Sequence, residues 1–166
     1  GALITSGSVD ATITSGGKLG AIYVGFPGGG DLNGSVNASR AYTIMANGSI
    51  GAQIVSTYCI NTIHAAGDIT GSITSDYCLF NIWAGGKITS DIYGGGTIKS
   101  LYARGDITGN IVGGQVQLFY AGGSFTGSLR SMRPAGTAIA GNDFNGSFTV
   151  DVGSASSVLS LKGGIS

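Results

Sequence analysis

Residues 57–75 read TYCINTIHAAGDITGSITS, and residues 76–94 read DYCLFNIWAGGKITSDIYG. Aligned, they put Cys59 over Cys78, Ile63 over Ile82, His64 over Trp83, Ala65 over Ala84, Gly67 over Gly86, Ile69 over Ile88 and Ile73 over Ile92, a repeat of 19 residues. Carried outward, the Ile69 position gives Leu32, Ile50, Ile69, Ile88, Ile107, Phe125 and Phe144, in steps of 18 or 19. Four residues on, a second series runs Val36, Ile54, Ile73, Ile92, Ile111, Leu129 and Phe148. A third runs Phe26, Ile44, Ile63, Ile82, Leu101, Phe119 and then Ala138 or Ile139. Small residues repeat in the same steps, as Gly28, Ala46, Ala65, Ala84, Ala103, Ala121 and Ala140, then Gly30, Gly48, Gly67, Gly86, Gly105, Gly123 and Asn142. Val9 and Ile13 start the array if Gly16-Gly17-Lys18 is an insertion, and LKGGIS at 161–166 reads as the opening of another repeat.

Within one repeat, Ile69, Gly71 and Ile73 alternate with Asp68, Thr70 and Ser72, the two-residue period of a strand with one buried face. Gly67 stands between this stretch and Ile63-His64-Ala65, where a turning chain wants a residue without a Cβ. Each repeat is therefore two or three short strands joined by tight turns. A handful of buried side chains cannot offset the entropy of ordering such a coil, so the coils must stack and share ladder hydrogen bonds. The expected fold is all-β: one domain over 1–166, a parallel β-solenoid (β-helix) of about eight coils with an 18–19-residue repeat, about 40 Å long at about 4.8 Å per coil. The first coil, 1–25, and the C-terminal segment, 150–166, read as irregular. Right-handed coiling is expected, because parallel crossovers turn that way.

Composition narrows the function classes. Glycine makes up 32 of 166 residues without a three-residue period, which argues against collagen and against a disordered linker. Eight basic and eight acidic residues balance, and no basic run is present to meet a phosphate backbone, so no nucleic-acid partner is expected. No apolar run approaches the ~18 residues of a membrane span. With one His, no Glu and no nucleophile or metalloprotease motif, the chain reads as a non-enzyme without cofactor or metal. Asp residues spaced by one coil do not converge as a calcium site requires.

Stacking turns each position into a surface column. Met45, His64, Trp83, Tyr102, Tyr120 and Ile139 fall in one column flanked by inward residues, forming an outward apolar and aromatic stripe, with Phe80 and Tyr93 near it. Such a stripe suits lateral packing against another rod, or stacking on sugar rings, unless a terminal segment such as 150–162 folds back over it. A second outward column, Asn33, Gly51, Thr70, Thr89, Thr108, Thr126 and Asn145, has the regular hydroxyls of an ice-binding face. Its neighbour, which mixes Ser, Asp, Asn and Gln, spoils the grid. In the column Asp31, Ser49, Asp68, Lys87, Asp106, Ser124 and Asp143, Lys87 is placed to pair with Asp68 and Asp106. Cys59 and Cys78 lie one coil apart on an outward column continued by Thr97 and Gln115. Equivalent Cα atoms at about 4.8 Å fall inside the disulfide window, so the two are expected to bond in an oxidising compartment. Arg104-Gly105-Asp106 and the sequons at Asn33, Asn37, Asn47 and Asn145 follow from the repeat's own composition.

The phrase recurring as AAGDITGSI, AGGKITSDI, ARGDITGNI and AGGSFTGSL resembles the repetitive β-solenoid tracts of very large secreted or cell-surface bacterial proteins, including filamentous adhesin-like and planctomycete surface proteins. That resemblance implies an extracellular or cell-surface spacer, fibre or adhesin segment. A start at Gly1, in mid-repeat, and an end at Ile165-Ser166, also in mid-repeat, suggest a piece of a longer rod or end coils that stack between subunits. The expected function is a structural rod or fibre whose partners are copies of itself, end to end or laterally, or neighbouring domains of a longer chain. Glycan binding through the stripe and ice binding through Thr70, Thr89, Thr108 and Thr126 are the alternatives.

Overall fold

A computed structural model describes residues 1–165. Among them lie the strands β1 (Ala2–Ile4), β2 (Val9–Val24), β3 (Leu32–Ala46), β4 (Gln53–Ala65), β5 (Ile73–Ser75), β6 (Cys78–Ala84), β7 (Ile92–Ala103), β8 (Ile107–Ala121), β9 (Phe125–Ser131), β10 (Ala135–Ala140), β11 (Phe144–Val150) and β12 (Ala155–Ser160). Every pairing is parallel, and the strands form one sheet wound into a β-solenoid. Leu3, Ile22, Ile44, Ile63, Ile82, Leu101, Phe119, Ala138 and Val158 pair one above the next, so nine rungs enclose eight turns.

The inward columns are the ones the periodicity picks out. Leu32, Ile50, Ile69, Ile88 and Ile107 are joined by single bridges and are fully buried, as are Ile63 and Ile73. A further inward column, Leu19, Ala41, Ile60, Leu79, Ile98 and Val116, completes the cross-section. At the C-terminal end the core changes from aliphatic to aromatic. Phe119 meets Phe125 at 4.9 Å and Phe125 meets Phe144 at 4.8 Å, filling the volume left where Ala138 stacks on Phe119.

Register at the N-terminal end differs from the expectation. Val9 and Ile13 do pair with Leu32 and Val36, but Gly16-Gly17-Lys18 is not the insertion. The extra residues lie at 25–30, so Ile22 takes the core position assigned to Phe26, and Val24 the small-residue position assigned to Gly28. The physical reason is Gly25-Phe26-Pro27-Gly28: Pro27 has no N–H for the ladder, and Gly25 at φ 76° turns the chain out of it. A Cβ on Gly25 would collide with the backbone of Gly30. Asn47 pins this loop, its side-chain amide donating to the carbonyls of Gly25 and Gly28 at 3.0 Å each.

The segments set apart as irregular contain coils as well. β1 and β2 occupy 1–25, and β12 lies within 150–166, pairing in register with β10. Residues 155–160 therefore extend the stack and do not fold back across the stripe. Ile165 bridges to Phe144, as another coil would begin, while Ser166 lies outside the described residues.

The acidic corner column serves the backbone. Asp31 Oδ1 accepts the Ser49 N–H at 2.6 Å, Ser49 Oγ the Asp68 N–H at 3.1 Å, Asp68 Oδ1 the Lys87 N–H at 2.8 Å, and Asp106 Oδ1 the Ser124 N–H at 2.7 Å. At this corner the N–H points to the preceding coil, where a short side-chain acceptor stands in for a carbonyl. The expected ion pairs of Lys87 with Asp68 and Asp106 do not form; among the described residues the ion pair is Arg130–Asp151 at 2.8 Å. Lys87 has no acceptor to offer Asp106, so Lys87→Ser should add one hydrogen bond and stabilise the chain by about 0.5–1.5 kcal/mol. A denaturant midpoint unchanged or lowered by that substitution would contradict this role for the column.

Candidate functional site: the aromatic stripe and its neighbouring columns

The stripe is longer than its sequence signature. Met45, His64, Trp83, Tyr102, Tyr120 and Ile139 are successive register partners, and Ile4 and Tyr23 precede them while Leu159 follows. Tyr23 was hidden by the misplaced insertion, and Leu159 by the reading of 150–166 as irregular. The alternation of Ile22-Tyr23-Val24 and of Val158-Leu159 is the signal that could have found them.

Inward neighbours on both sides, such as Ile63 and Ala65 around His64, hold each stripe residue outward. Ile4, Trp83 and Leu159 are exposed and the others half-buried, shielded mainly by one another. His64 and Trp83 have ring centroids 4.3 Å apart with planes tilted by 45°. Trp83, Tyr102 and Tyr120 form a stack, at 6.1 and 4.9 Å with interplanar angles of 1° and 4°. Partial burial lowers the His64 pKa below that of a free imidazole, so the ring favours its neutral, apolar form.

This geometry restricts the stripe's chemistry. Parallel rings one coil apart partly cover one another's faces. Sugar stacking needs open faces, whereas a flat apolar partner can lie against a row of edges.

Thr70, Thr89, Thr108 and Thr126 are all exposed and point to solvent on another face. In the adjoining column Asp91 Oδ1 accepts the Asn110 N–H at 2.8 Å and Ser128 Oγ donates to Asn110 Oδ1 at 2.7 Å, so these groups hold coils together instead of presenting a uniform grid. Cys59 and Cys78 form a disulfide across a Cα–Cα distance of 4.6 Å. Cys59 is buried and Cys78 half-buried, yet neither belongs to the hydrophobic core cluster that takes in the residues that follow them, Ile60 and Leu79. Exposed Tyr58 and Tyr77 stack beside the bond at 4.9 Å. The bond fits an oxidising environment.

Sequence reasoning also missed a column of buried serines. Ser56 Oγ donates to the Ser39 carbonyl at 2.9 Å, Ser75 Oγ to the Tyr58 carbonyl at 2.8 Å and Ser131 Oγ to the Arg133 carbonyl at 2.8 Å. Each satisfies a carbonyl freed at the same corner, and their spacing by whole coils, one from Ser56 to Ser75 and three from Ser75 to Ser131 with Gly94 and Gly113 between, is the available signal. Comparison with protein-family models, with curated proteins and with solved structures finds no match.

Proposed function

We propose that this chain is a structural β-solenoid of an extracellular or cell-surface assembly, a rod segment or fibre subunit of the adhesin-like kind. The observation that carries the reading is the in-register stripe from Ile4 to Leu159, an apolar strip running the length of the described rod on a chain without net charge. The regular spacing of the coils lets the stripes of two copies match along their length, which favours a second copy as partner. The strand edges of the outermost coils can likewise pair with a further coil of this chain or of another. The disulfide and the likeness of the repeated phrase to bacterial surface tracts support the extracellular setting.

Sedimentation and electron microscopy over a concentration series test this. The wild-type rod should associate laterally or end to end, and the double substitution Trp83→Ala and Tyr102→Ala should weaken lateral association by about tenfold or more, the loss of two aromatic contacts. Dispersed short rods at every concentration, or an association indifferent to the double substitution, would remove the stripe as the contact. Retention of the wild type, but not of the double variant, on a glycan array would favour the glycan alternative.

A further inference from the structure

The two 18-residue coils owe their missing residue to the same corner. Where neighbouring coils take three steps, from Ser15 to Lys18 and from Ser56 to Cys59, the coil between them takes two, from Ala38 to Arg40. The other short coil goes from Gly113 to Gln115, beside Gly94 to Thr97. A corner one residue short, flanked by full ones, leaves a notch in the side of the rod.

The two notches differ in what occupies them. At Gly114, Arg133 of the next coil reaches back, its Nε donating to the Gly114 carbonyl at 3.3 Å, and fills the space. At Ser39 the equivalent position on the next coil is Tyr58, and the notch is open. It forms a recess of about 480 Å³ lined by Lys18, Ser39, Arg40, Thr57 and Tyr58. A second recess of about 290 Å³ continues from Ser39 and Thr57 toward Ser15 and Asn37.

The open notch is cationic. Lys18 and Arg40 are direct register partners on adjacent coils, a like-charge pair that costs stability, and neither has an acidic partner among the described residues. The Arg40 guanidinium lies 4.4 Å from the centroid of the Tyr58 ring and also hydrogen-bonds the Tyr42 phenol, two contacts that hold it in place while its remaining N–H groups can still donate. Both charges act on the Tyr42 phenol, whose pKa is lowered first by the hydrogen bond from Arg40 and next by the charge of Lys18. A preorganised guanidinium, a second cation and flanking hydroxyls make an oxyanion site.

We propose that the Ser39 notch binds the sulfate or carboxylate group of an acidic polysaccharide. The anion sits between Lys18 and Arg40, and the adjoining hydroxyl and amide side chains of Ser15, Asn37 and Thr57 meet the sugar hydroxyls. A saccharide fits better than a nucleic acid because only two cations face the notch, on a chain with no net charge, whereas the adjoining recess, mainly apolar with a few hydroxyl and amide groups, suits the C–H face and hydroxyls of a sugar ring.

Binding of sulfated dextran, polygalacturonate, neutral dextran, duplex DNA and inorganic sulfate to the dilute, unassociated protein tests this by calorimetry. Either acidic polymer should bind, more weakly as salt rises, and neutral dextran should not. Arg40→Gln and Lys18→Gln should each weaken binding by about tenfold or more, the loss of one charge-assisted hydrogen bond. Lys18 is exposed, so its variant keeps the test valid if Arg40→Gln fails to fold, with circular dichroism and thermal melting as the check. Binding unaffected by these substitutions, binding of inorganic sulfate alone, DNA bound as tightly as the polysaccharides, or no binding would each overturn the proposal.

Discussion

Phe125→Ala lowers the stability of the chain by about 3–5 kcal/mol, the range for truncating a fully buried aromatic side chain. Phe125 has no exposed surface and is the central ring of three, with Phe119 on one side and Phe144 on the other. Collapse cannot fill the hole, because the backbone on both sides is fixed by ladder pairing to its neighbours. Since each coil touches only the coils above and below, the damage should stay local. Hydrogen exchange should show β9 to β12 losing protection while the coils from Ile44 to Leu101 keep theirs. A loss below about 1 kcal/mol, or a uniform loss of protection, would mean that the aromatic cluster does not hold the C-terminal coils.

Replacing Cys59 and Cys78 together with alanine, or reducing the bond, should lower stability by about 3 kcal/mol on the chain-entropy model for a loop of this length. The bond joins residues 19 apart in sequence, one complete coil, so it removes conformations from the unfolded chain that nothing else removes. Because Cys59 is buried beside Ile60, part of the cost is packing, and Ala at both positions limits it. Denaturant unfolding with and without reductant separates the two contributions. The wild type should shift with reductant and the double variant should not. A wild-type midpoint that ignores reductant while the bond is demonstrably open would sink the cross-link as a stabilising element.

Much of the site was legible because each position repeats. His64 over Trp83 could be assigned outward from Ile63 and Ala65 alone, since alternation fixes the side of a strand. Cys59 over Cys78 could be assigned a bond because one period brings equivalent Cα atoms within reach. Failures came where counting stopped being a guide. Stepping back by the period puts Phe26 in the core, across an insertion whose position only the pairing of Ile22 with Ile44 reveals. Lys87 between Asp68 and Asp106 looked like an ion-pair ladder because charge is visible in a sequence. The backbone N–H groups that Asp31, Ser49, Asp68 and Asp106 satisfy are not.

The sequence by itself determined the solenoid, the inward and outward columns of its central coils and the cysteine pairing, because a fixed period and a two-residue alternation leave the chain one way to bury its Ile and Val residues. Only the tertiary structure decided which residues of an unequal coil are extra, how the corner polar groups are spent, and that one short corner is plugged by Arg133 while the other lies open between Lys18 and Arg40. A step of 18 residues says that a coil is short. Where it is short depends on which hydrogen bonds the coils above and below can still make, and that is a property of the stack.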